Sequence, residues 1–223
     1  MFSEMDWFPL FLSLRVALLA TACSLIVGLS VAYLLARRRF LGRELVIALV
    51  TLPVLLPPTV LGFYLLQLLG RQGLVGRMLD QSFGVTVIFS WVAAVIASAV
   101  VSMPFLIQTA RAAFEGVDPD LEAAARTLGR SEAAIFFTVT LPLSWRGILA
   151  GTALCFARAM GEFGATLMVA GNIHGRTQTL PVAIYDAVQS NNQDLANYLV
   201  LTITFVTVMI LLLLGQATRA LRW

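Results

Sequence analysis

Five separate apolar runs, each near the length needed to cross a membrane, constrain this chain more than any other feature. They lie at about 10–36, 45–69, 84–108, 147–170 and 195–215, and roughly 20 helical residues span about 30 Å of hydrocarbon. Hydrocarbon offers backbone amides no partner outside the segment, so all five are expected as α-helices. Of 223 residues, 59% are hydrophobic and 12% charged, about half the charged share of a soluble domain. Too few charges remain to cover a soluble core of this size, and disorder and coiled coil are excluded as well. The leader before the first run carries Glu4 and Asp6 instead of a basic stretch, and the run itself is too long for a cleaved signal, so a retained helix is expected.

Charge placement predicts orientation, because Arg gathers on cytoplasmic loops. All fifteen basic residues are Arg. Ten share one side: Arg37, Arg38, Arg39 and Arg43, then Arg111, Arg126, Arg130 and Arg146, then Arg219 and Arg222. Three, Arg71, Arg77 and Arg176, fall on the other. The N-terminus is therefore expected outside and the C-terminus in the cytoplasm. Arg15, near the outer end of the first run, can snorkel outward. No internal repeat and no Ser- or Gly-rich linker divides the chain, so a single transmembrane domain over 1–223 is expected.

Chemistry carried by the chain itself looks sparse. Cys23 and Cys155 fall inside spans and read as small hydrophobes. His174 stands in an outer loop with no Cys or His nearby, so no metal site is expected. No phosphate loop, zinc signature, nucleophile elbow or dinucleotide fingerprint occurs. The expectation is no catalytic residue and no bound cofactor, with any energy source residing in a partner.

The most informative segment is the loop of about 111–146, since loops this long are usually functional. Asp118 can cap a helix with Pro119 in its first turn, and Asp120 and Glu122 favour that helix end. Leu121 to Leu128 is Ala-rich, and Gly129 suits a left-handed stop. Ser131 can cap a second short helix over Glu132 to Phe137, which Leu141-Pro142 is expected to end. The product is a helix, a sharp turn and a second short helix just outside the bilayer.

Ala123-Ala124-Ala125, then Gly129, then Val139, Leu141 and Pro142, resemble the "EAA" loop of permease subunits in binding-protein-dependent ABC importers. One departure stands out: counting back from Gly129, the family's Glu position holds Ala123, and the acidic residue is one place earlier at Glu122. The resemblance implies a type I importer permease fold, and a loop that docks into a groove on a separate ATP-binding subunit which uses ATP and Mg. Small residues there would let that partner approach closely. Leu52-Pro53 through Pro57-Pro58-Thr59 to Gly62, Gly116 to Gly129, and Phe156 to Thr166 are similar to molybdate permease subunits over nearly the whole chain. That likeness implies transport of molybdate, and of tungstate too, by alternating access. It also implies a homodimer, an ATPase dimer, an extracytoplasmic molybdate-binding protein and a place in the cytoplasmic (inner) membrane. Related sulfate and thiosulfate permeases share part of the Gly161-Glu162-Phe163-Gly164 segment and supply the alternative.

Elementary chemistry points at two places within the spans. Pro53, Pro57 and Pro58 remove backbone donors and should kink or break the second span near its middle. Either this break only shapes the bundle, or freed carbonyls with Thr51 and Thr59 line a pathway. Arg158 and Glu162 are four residues apart on one helical face, roughly 17 and 22 Å along the helix from Gly147. Charges at such depth are functional candidates. The pair could hold helices together, or Arg158 could offset an oxyanion's charge while Glu162 keeps its binding weak. Gly147, Gly151, Gly161 and Gly164 would let helices approach closely. Since one subunit of five spans cannot easily enclose a pathway, a symmetric dimer is expected on physical grounds too. The outer loops at about 70–83 and 171–194 are mixed polar, which suits a reversible protein contact and any exposed loop alike, with an amphipathic turn at 180–185; the family resemblance implies that this face receives a substrate-binding protein. An intramembrane enzyme using Arg158, Glu162 and His174 would need convergent groups at one depth, which His174 in the outer loop denies it. A passive anion channel would work without ATP.

Overall fold

The computed structural model describes residues 6–220. Glu4, Arg222 and the side chain of Arg219 lie outside what it describes. The described residues are helical with no strand. Helix α1 spans Phe8–Arg37, α2 Arg43–Leu55, α3 Pro58–Leu69, α4 Leu74–Phe83 and α5 Trp91–Glu115. Helix α6 spans Pro119–Thr127, α7 Glu132–Ile135, α8 Leu141–Met160, α9 Gly164–Ala170, α10 Leu180–Gln189 and α11 Gln193–Ala220. A π-helical turn, Phe136–Thr140, joins α7 to α8.

Four helices are long and apolar enough to cross a membrane, and the bent pair α2 and α3 makes five if it is one crossing. Helix α5 is the centre of the bundle: 61% of its most apolar stretch is buried, against 11% for α11. It packs along both α1 and α8, which also touch each other. Small residues permit this, with Ala93, Ala94, Ala97 and Ala110 of α5 meeting Ala17, Ala20 and Ala32 of α1 in two apolar clusters. A Cβ at Gly147 would collide with that of Ala113, and one at Gly151 would sit 3.1 Å from Thr109, so both glycines set how closely α8 lies on α5. Gly161 meets nothing but its own helix and has no such role.

Several expected boundaries move. The helix of the third run, α5, begins at Trp91 and not at 84, because Ser90 caps it by accepting from the Ala93 amide, and the apolar stretch before it is irregular and turned. Phe89 there adopts φ +57° and donates its amide to the Val169 carbonyl. The fourth run is not one helix over 147–170. Its helix runs unbroken from Glu132 to Met160, and breaks at Gly161 to Phe163 before α9. Leu141-Pro142 therefore does not end the second piece of the loop, as the sequence suggests. The π turn absorbs the proline: the Leu141 amide reaches back five residues to the Phe136 carbonyl, and this wider turn relieves the clash a proline ring makes in a regular helix. The outer segments also hold more helix than expected. Residues 70–83 contain the amphipathic α4, and the 180–185 turn is the first half of α10.

Candidate functional site

The segment between α5 and α8 folds as its caps dictate. Asp118 Oδ1 accepts from the Asp120 amide at 2.9 Å, Pro119 begins α6, and Gly129 turns the chain at φ +77°. The Ser131 hydroxyl accepts from the Ala134 amide at 3.3 Å and starts α7. Ala123, Ala124 and Gly129 are exposed, Ala125 is half-buried, and Leu128 projects at the apex with 82% of its surface free. Val139 and Leu141 are half-buried and Pro142 is exposed, one helical turn or more from that apex.

Glu122 faces the other way. It is the one buried residue of α6. Arg37 Nη2, at the end of α1, donates to its Oε1 at 2.7 Å, and the buried Thr140 hydroxyl in the π turn donates to the same oxygen at 2.6 Å. Arg126 Nη2 lies 3.8 Å from its Oε2 and donates through Nε at 2.6 Å to Glu132. The Glu132 side-chain hydrogen bond is the main cause holding the Arg126 guanidinium above its ordinary pKa. Beneath the group, Tyr33 packs edge-on against Phe114 and Phe136, with centroids 5.6 and 4.8 Å away. Arg43 binds the Leu35 carbonyl and Glu115, which also accepts from Arg111. Sequence reasoning used Arg37 only for sidedness and missed Thr140. The signal was the one-residue displacement of the acid, since one residue turns a side chain by about 100° around a helix.

A second cluster lies where two helices break against each other. Helices α2 and α3 meet at a bend of 114° across Leu56 and Pro57. Pro57, Pro58 and Thr59 are exposed at the bend. Thr51 donates to its own helix at the Ile47 carbonyl, so its hydroxyl hydrogen is already used. The other break, at Gly161 to Phe163, is held by Glu162. Its Oε1 accepts from the Ala165 amide at 2.8 Å, satisfying a donor of the first turn of α9. Its Oε2 lies 2.8 Å from Arg158 Nη1, an ion pair whose geometry falls short of an aligned hydrogen bond. Glu162 is 3% exposed as a residue, while the Arg158 side chain is 30% exposed. The two breaks touch through glycine: a Cβ on Gly164 would lie 2.9 Å from Pro58, and one on Gly62 2.7 Å from Met168.

The remaining candidates sit apart. His174 Nε2 is 3.2 Å from Asp6, its Nδ1 contacts Gln178, and Gln178 continues to Asn172 and Asp186. No group of residues that could hold a metal occurs among those described. The Arg15 guanidinium lies 3.9 Å over the Trp91 ring. Cys155 is buried and within 3.4 Å of the Ser102 hydroxyl, while Cys23 is exposed.

Such a bundle of broken helices, with a capped helix-turn-helix projecting from it, has counterparts. A family model described as "Binding-protein-dependent transport system inner membrane component" matches residues 24–222. The chain belongs to this family. It is 44% identical over 214 residues to the molybdenum transport system permease protein ModB of Escherichia coli K12, covering 96% of this chain and 93% of that one. Over 179 residues it is 48% identical to ModB of Haemophilus influenzae, covering 80% and 78%. It is 42% identical over 208 residues to the putative molybdenum transport permease YvgM of Bacillus subtilis, covering 93% and 92%. Among solved structures, an inward-facing MetNI methionine ABC transporter matches with TM-score 0.74 at 18% identity, covering 99% of both chains. A bacterial alginate ABC transporter bound to its periplasmic protein matches with TM-score 0.78 at 19% identity, covering 98% and 80%. At such identities the structures speak for the fold: this is an all-α, multi-pass membrane protein with the type I importer permease architecture.

Proposed function

We propose that the chain is the membrane-spanning permease subunit of an ATP-driven importer carrying molybdate, and tungstate with it, across the cytoplasmic membrane. The observation that carries this reading is identity above 40% to molybdenum transport permeases along most of the chain. The chain performs no covalent chemistry. A separate ATPase dimer, using ATP and Mg, docks on the loop apex at Ala123, Ala124, Leu128 and Gly129, and two copies of the chain enclose the pathway. An extracytoplasmic molybdate-binding protein delivers the anion to the opposite face. Ten Arg against three support an outside N-terminus and a cytoplasmic C-terminus.

Within the pathway, Arg158 is the group suited to an oxyanion. Its charge is partly exposed, and it is offset by Glu162, which holds the helix break that meets the Pro58 bend through Gly164. A cation so compensated attracts a dianion weakly enough to let it leave. Vesicles reconstituted with permease, ATPase and binding protein test the whole reading. Molybdate uptake should require ATP, be blocked by tungstate, and survive excess sulfate. Sulfate competition at equal concentration would favour a sulfate or thiosulfate importer, and uptake without ATPase or binding protein would favour a passive channel.

A further inference from the structure

Helix α6 carries nothing apolar into the interior: its one buried side chain is a carboxylate. Amphipathic helices normally dock through an apolar stripe that tolerates small slides. A charge taken out of water behaves differently, because it is stable only while its partners stay in place. Here the partners come from two other elements. Arg37 ends α1, Thr140 sits in the π turn before α8, and both donate to the same oxygen of Glu122, at 2.7 and 2.6 Å. Underneath, the Tyr33 ring packs edge-on against Phe114 and Phe136, which are tilted against each other, so that side of the group is mostly aromatic.

From this geometry we infer that Glu122 is a latch through which movement of the loop reaches the membrane helices, a positioning residue and not a contact for the ATPase. The inference rests on the importer reading and assigns that loop a route of transmission. A pull on α6 at its exposed apex reaches α1 through this one carboxylate, and reaches the start of α8 through its bond from Thr140 alongside the Arg126–Glu132 pair that ties α6 to α7. Helices α1 and α8 are the two that pack along the central α5, so both move with α6 or the latch breaks. The π turn gives Thr140 its place in this group. The one-residue offset from the family's Glu position then has a physical meaning: Ala123 stays at the docking surface, and the acid is turned inward.

The test uses the complete reconstituted transporter with its ATPase, binding protein and molybdate, reading ATP hydrolysis, uptake and ATPase co-purification separately. Glu122→Gln and Arg37→Gln should each retain the ATPase and hydrolyse ATP, yet move about tenfold less molybdate per ATP, within the range of a single coupling contact. The reversed pair, Arg37→Glu with Glu122→Arg, should recover most of that loss, which loss of a contact between Glu122 and the ATPase would not allow. Normal coupling in both single variants would overturn the latch. So would loss of ATPase binding in Glu122→Gln but not in Arg37→Gln, because Glu122 would then be a docking contact. If a single variant fails to assemble, the reversed pair decides: assembled and coupled supports the latch, assembled and uncoupled overturns it, and failure to assemble overturns it too. A wild-type complex that moves no molybdate would instead refute the importer reading.

Discussion

Glu162 does two jobs at once, and the two can be separated by substitution. Glu162→Gln keeps an oxygen to accept from the Ala165 amide and loses only the pair with Arg158. Because the Arg158 side chain is partly exposed, that loss should be small, about 1 kcal/mol. Glu162→Leu loses the amide acceptor as well, adding about 1–2 kcal/mol. Thermal unfolding of the purified chain should therefore rank wild type, Gln and Leu in that order, and equal losses for Gln and Leu would assign the stability to the ion pair alone. Gly129 presents the opposite case. A Cβ there meets nothing within 4 Å, so only its φ of +77° resists substitution. Gly129→Ala should cost about 1–2 kcal/mol of local strain and leave uptake near normal. Gly129→Trp projects a large ring from the loop apex and should uncouple ATP hydrolysis from transport with membrane insertion intact. Normal uptake by the Trp variant would remove the apex from the docking surface.

At the scale of the elements, proline acts in two opposite ways within one chain. Pro57 and Pro58 end α2 and start α3 in a new direction, whereas Pro142 sits in a helix that continues through it from Glu132. The difference lies in the neighbouring turns: two consecutive prolines leave Leu56 extended at ψ 142°, while the π turn before Pro142 widens the helix to admit the ring. Changing Pro57 and Pro58 together to Ala should straighten the bend and pull Gly62 and Gly164 from their contacts with α9 and Pro58. The expected result is normal insertion with uptake reduced about tenfold or more, since the pathway would lose its broken walls. Uptake at wild-type rate would mean the bend only shapes the bundle.

At the scale of the molecule, the Arg asymmetry makes a topological prediction. With Cys23 and Cys155 replaced by Ala, Leu41→Cys between α1 and α2 should resist an impermeant thiol reagent in intact cells, and Asn191→Cys after α10 should react. The reverse pattern would invert the chain in the membrane. Both sites are exposed, so accessibility reflects the side of the membrane and not burial. The apolar runs alone set the helical membrane class, because runs this long and apolar can satisfy their backbone groups in hydrocarbon as helices, and the structure has four such crossings, or five if the bent pair α2 and α3 is one. The caps at Asp118 and Ser131 and the turn at Gly129 were legible too, since each depends on residues within one turn. The break at Pro57 and Pro58 was readable for the same local reason, whereas Pro53 lies inside α2 without ending it. What the sequence could not state was where long-range partners stand. Whether Pro142 ends a helix depends on a π turn, and the facing of Glu122 depends on Arg37, 85 residues away. The third span's start at Trp91 also required tertiary structure, because Gly84 to Phe89 stay outside any helix and the Phe89 amide donates to the Val169 carbonyl instead. Local chemistry chose the elements, and only packing chose which buried charge each would meet, because an ion pair's partner is set by proximity in space and carries no periodicity along the chain.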